Sequence, residues 1–170
     1  MNPPTQGHKK LITTLVETAK SNEADHRVFL SQTQNNKTDP LDWGFKRRVC
    51  QAAFPGVKIS EDTSIKTPFQ ALESLSESYD KVIFVVGEDR EKTFKERMPK
   101  YAESLGVNLE IVSAGKRDPL SEGIEGMSAS KLRKYAIAND KENFCNGLPS
   151  TLTKAIKEMV MRNTRRALAK

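Results

Sequence analysis

Lys81-Val82-Ile83-Phe84-Val85-Val86 is a β-branched and aromatic run that stops at Gly87. A short continuous apolar run closed by a glycine reads as a strand covered on both faces, the kind found in parallel sheets. Working outward, a second run stands downstream at Leu109–Val112, and two shorter ones stand upstream at Val28–Leu30 and Val57–Ile59. Amphipathic stretches separate them. Leu11, Ile12, Leu15, Val16 and Ala19 recur at helical spacing in a helix from Gly7 to about Lys20. Further helices are predicted over 42–54, 67–78, 92–105 with an interruption near Pro99, 128–139, 141–146 and 150–169. Thr67 and Pro68 supply an N-cap followed by a proline at the first helical position. This alternation predicts an α/β fold: a Rossmann-like, doubly wound parallel sheet with right-handed crossovers, followed by C-terminal helices. Ligands of such sheets lie outside the carboxyl ends of the strands, which directs attention to the loops that follow them.

The 170 residues fit one α/β domain over 1–149 and a basic helix over 150–170. Apolar residues at 36% and charged residues at 29% exclude collagen-like, low-complexity and disordered classes. No apolar run reaches the roughly 18 residues of a membrane span, and no signal peptide opens the chain, so no membrane partner is expected. Cys50 and Cys145 have no metal-like spacing and point to a reducing, cytoplasmic compartment. Of the net charge of +6, residues 150–170 carry +5, from six cations against Glu158 alone. A body so near neutrality argues against a nucleic acid partner.

Two loops carry candidate chemistry. Asn2-Pro3-Pro4-Thr5-Gln6-Gly7-His8 runs straight into a helix, bringing a hydroxyl, an imidazole and free N–H groups to a helix start, where anions are favoured. A purely structural role for Thr5 as a cap and His8 as a first-turn residue fits the same residues. Gly126-Met127-Ser128-Ala129-Ser130-Lys131-Leu132-Arg133 opens another helix with Ser128 as its cap. Its hydroxyls and cations suit a polyphosphate, and Arg133 can bind one bidentately; a capped surface helix is the plainer alternative. His26 reads as structural, Trp43 as packing a helix onto the sheet, and Cys50 as core. No residue set suggests a metal ligand.

Together the two loops resemble the nucleotidyltransferase superfamily, adenylyl- and cytidylyltransferases with an HxGH or TxGH signature and an ISSTxxR-like second signature. NPPTQGH is similar to the first and MSASKLR to the second. Val85-Val86-Gly87-Glu88-Asp89-Arg90 and Ser113-Ala114-Gly115-Lys116-Arg117-Asp118-Pro119 are similar to two further family loops. The likeness runs in the expected order to about Pro149 and is nearest to phage-encoded members.

The resemblance implies a sheet of strand order 3-2-1-4-5. It also implies transfer of a nucleoside monophosphate, AMP from ATP in preference to CMP from CTP, to a small phosphate-bearing acceptor such as nicotinamide mononucleotide. Pyrophosphate is released with the help of Mg²⁺. His8, Thr5 and Arg133 would be the catalytic residues. Asn2, Gly7, Lys37, Gly87, Asp89, Arg90, Arg117, Ser128 and Ser130 would contact the nucleotide or its phosphates.

One departure is plain: Met1 stands immediately before Asn2, where family members carry an apolar strand and a glycine turn. The expectation is that this strand begins upstream of Met1. Alternatives are a sheet completed by another segment, a second copy or a partner chain, and a member that has lost catalysis and kept the fold for binding or assembly.

Overall fold

A computed structural model describes residues 1–115 and 126–169. Its described helices are α1 (His8–Ser21), α2 (Trp43–Ala53), α3 (Pro68–Ser76), α4 (Glu88–Arg97), α5 (Pro99–Ser104), α6 (Ala129–Ile137), α7 (Lys141–Gly147) and α8 (Lys154–Leu168). The described strands are β1 (Lys81–Val86) and β2 (Asn108–Ser113), parallel, with Lys81 opposite Asn108 and Val86 opposite Ser113.

The expected doubly wound sheet is not found. Among the described residues the sheet has two strands, and the 3-2-1-4-5 order has no counterpart. Val28–Leu30 and Val57–Ile59 are not strands; they touch through one isolated parallel bridge between Val28 and Ile59. Two hydrogen bonds make that bridge, Val28 N–H to the Lys58 carbonyl and Ser60 N–H to the Val28 carbonyl, both 2.8 Å. The physical reason is that burial and pairing are separate requirements. Leu30 and Ile59 reach the core by their side chains, but a ladder also needs a neighbouring backbone, and no described segment pairs with both residues 28–30 and β1.

The apolar residues collect in two clusters. One joins Ile12, Leu30, Val49, Leu132, Phe144 and Val160, from α1, the bridge segment, α2 and α6–α8. The other joins Leu72, Val82, Met98, Ala102 and Val107 around the sheet and α3–α5. Each large apolar side chain so buried contributes roughly 1.5–3 kcal/mol. Trp43 packs at the edge of the first, helical cluster rather than on the sheet, with the Arg47 guanidinium 5.9 Å above its ring.

Local signals explain most helix ends. Thr67 caps α3 through a capping box with Gln70, and Ser128 caps α6 by accepting from Lys131 N–H at 3.2 Å. α4 begins at Glu88, four residues before the expected start. It buries no residue, so apolar spacing could not reveal its first turn, where Glu88, Asp89 and Glu91 complement the helix dipole. α8 begins at Lys154 behind the Thr153 cap and sends Val160 and Met161 into the first cluster.

Candidate functional site

The opening turn is held by its own residues. Thr5 N–H donates to His8 Nδ1 at 3.0 Å, so Nδ1 is an acceptor and the imidazole proton is assigned to Nε2. The Thr5 hydroxyl lies 2.8 Å from the same Nδ1 and donates to the Met127 carbonyl at 3.1 Å. Thr5 is fully buried and His8 is 7% exposed. Thr5 therefore orients the ring and ties the turn to the segment before α6.

Gly7 makes that approach possible. A Cβ on Gly7 would stand 2.4 Å from the Met127 carbonyl oxygen, a backbone atom that cannot swing away. Gln6 N–H donates to the Gly147 carbonyl at 3.0 Å, fixing the turn to the end of α7. Asn2, buried at 3% exposure, uses both ends of its amide on Leu41: Oδ1 accepts from Leu41 N–H at 3.0 Å and Nδ2 donates to Leu41 O at 3.2 Å. Its carbonyl accepts from Arg133 Nη1 at 3.0 Å. The two loops singled out in the sequence are thus in direct contact.

Among the other candidates, Ser128 is the α6 cap and Ser130 is exposed in the first turn of that helix. Lys37 is exposed on a turn organised by Asn35, whose Oδ1 accepts from the N–H groups of Lys37 (2.9 Å), Thr38 (2.7 Å) and Asp39 (3.3 Å). Gly87, Asp89 and Arg90 form the corner between β1 and α4. Gly87 is the α4 N-cap, and Asp89 and Arg90 are exposed and face each other at 3.9 Å. No described hydrogen bond joins these three to the opening turn. α1 nevertheless packs on β1, and Lys10 Nζ comes within 3.4 Å of where a Gly115 Cβ would stand, beyond the end of β2. Arg117 lies outside the described residues.

Sequence reading missed Lys46. It is 2% exposed, and its ammonium donates to the Ser31 carbonyl at the end of the bridge segment. Burial pushes the Lys46 pKa down, while Asp39 and Asp42 oppose that shift. Burial likewise lowers Arg133, again opposed by Asp39. A signal was available: Lys46, Val49, Cys50 and Ala53 form the buried stripe of α2 at helical spacing, with a lysine among its apolar members.

A groove of about 350 Å³ runs along α1 toward Phe54 and Val57 and holds none of the candidate residues. No helix among the described residues is long and apolar enough to cross a membrane. No protein family, curated protein or solved structure matches the chain.

Proposed function

We propose that the junction of the opening turn with the start of α6 binds the phosphates of a nucleoside triphosphate. On this reading the protein is a nucleotidyltransferase that moves AMP from ATP to a phosphate-bearing acceptor such as nicotinamide mononucleotide, releasing pyrophosphate. The observation that carries it is the Arg133 guanidinium on the carbonyl of Asn2, in the same turn that holds His8 with its proton on Nε2. A histidine and an arginine tied to one turn at a helix start suit a polyphosphate better than a neutral ligand. The TxGH-like and SASxxR-like signatures supply the choice of reaction.

In such a transfer the acceptor oxygen attacks the α-phosphorus in line, and the α-phosphate to pyrophosphate bond breaks. No protein nucleophile is needed, so catalysis is positioning and stabilisation of developing charge. His8 Nε2–H donates to the α-phosphoryl oxygens, while Arg133 and Ser130 hold the β- and γ-phosphates. Thr5 acts through His8. Among the described residues no three His, Cys, Asp or Glu side chains converge as a metal cage. On this reading Mg²⁺ enters with the nucleotide substrate, which it commonly accompanies. Two unpaired cysteines favour a cytoplasmic location.

The test is pyrophosphate release with ATP or CTP and nicotinamide mononucleotide. Release with ATP, lowered about 100-fold or more by His8→Ala at unchanged melting temperature, is the expected result. Release with CTP alone overturns the adenylyl assignment. Binding of neither nucleotide overturns the site.

A further inference from the structure

A lysine is almost never fully buried without a partner of opposite charge. Lys46 is buried, and its ammonium is bonded to a neutral backbone carbonyl, that of Ser31. Arg133, half-buried, is likewise bonded to a neutral carbonyl, that of Asn2, at 3.0 Å. Neither forms a salt bridge with a described residue. Asp39 is the carboxylate whose field reaches both cations. It stands two residues before Leu41, which Asn2 clamps at 3.0 and 3.2 Å. Asp42 also acts on Lys46, but it is exposed at the start of α2 and its Oδ1 is engaged by Phe45 N–H at 2.9 Å. Two partly desolvated cations therefore lie in the field of one half-buried carboxylate, whose Oδ2 is itself engaged by the Thr38 hydroxyl at 2.8 Å.

We propose that Lys46 is a positioning residue that supplies the unneutralised positive charge behind the Arg133 phosphate seat, and that a phosphate group of the ligand completes its charge balance. The proposal rests on the reading of the opening turn as a phosphate site. Lys46 itself has no access to the ligand. It acts through its field and through the carbonyl of Ser31, which anchors the arm carrying Lys37 and Asp39.

A buried charge kept for function and one kept for stability differ in what their removal does. Lys46→Met keeps the length of the side chain and removes its desolvation cost. We expect its melting temperature to equal or exceed that of the unmodified protein, with affinity for inorganic pyrophosphate and ATP, measured by titration calorimetry, weakened about tenfold or more. Lys46→Arg, which keeps the charge, retains most of that affinity. If Lys46→Met binds as well as the unmodified chain, or loses affinity only together with a lower melting temperature, the proposal is wrong. A folded Lys46→Arg that binds no better than Lys46→Met also overturns it. If the unmodified protein binds neither probe, the phosphate reading fails and this inference falls with it.

Discussion

Arg133 Nη1 donates to the carbonyl oxygen of Asn2 at 3.0 Å, a bond that spans 131 residues of chain. Its neighbours repeat the same closure. Thr5 reaches Met127, and Gly7 lies under the Met127 carbonyl. The side chain of Asn2 meanwhile carries the connection on to Leu41. Three segments distant in sequence thus meet at one turn.

The closest approach in this junction leaves no room for a methyl group. Gly7→Ala would set a Cβ 2.4 Å from the Met127 oxygen, with backbone on both sides of the clash. Separation of the turn from α6 should cost about 1–3 kcal/mol in denaturant unfolding and lower activity in step. Gly44→Ala serves as a control. It lies within α2, with 3.4 Å to Asp42 Oδ1, and should be neutral or stabilising by up to about 1 kcal/mol. Equal stability of the two variants would contradict the crowding.

Thr5→Val preserves shape and removes the hydroxyl. The Met127 carbonyl then loses its 3.1 Å donor, at a cost of about 1–2 kcal/mol. The His8 ring keeps its bond from the backbone N–H of Thr5 and loses the hydroxyl packed 2.8 Å from its Nδ1. Turnover should fall roughly tenfold, less than on loss of His8 itself, while pyrophosphate affinity through Arg133 is preserved. A loss of pyrophosphate affinity equal to the loss of turnover would mean that Thr5 contacts the phosphates directly.

Cys50 sets an alkaline limit on stability. Fully buried, its thiol is pushed up from 9.0 to about 11. Between those values the folded state holds a proton that the unfolded state releases, so stability falls as pH rises through that window. The full effect is about 2–3 kcal/mol. Lys46 works in the opposite sense: its pKa is lowered on folding, so the unfolded chain binds the extra proton and stability rises with pH toward 10.5. Denaturant midpoints measured from pH 8 to 11 should decline less steeply in Cys50→Ala than in the unmodified protein. Parallel slopes would remove Cys50 as the cause.

Where local chemistry decides, the amino-acid order was a sufficient guide. Val82–Val86 is β-branched and covered by helices, so it forms a strand. Thr67 and Ser128 cap the helices that follow them because a side-chain oxygen there accepts an N–H that has no other partner. The same local reading failed at Val28–Leu30, where apolar side chains satisfied the core without a ladder. It failed again at Glu88–Glu91, where a helix forms with nothing to bury.

The site divides along the same line. The two loops could be read as candidate phosphate binders from residue type and spacing alone, since a hydroxyl, an imidazole and an arginine at helix starts have a chemistry of their own. Sequence could not reveal that Thr5 is committed to His8 and Met127, that Asn2 is committed to Leu41, or that Lys46 is buried on the Ser31 carbonyl. The Thr5–Met127 and Asn2–Leu41 bonds each depend on groups far apart in the chain coming within about 3 Å, the range in which a hydrogen bond forms. Only the packing of α1, α2 and α6 brings those groups together.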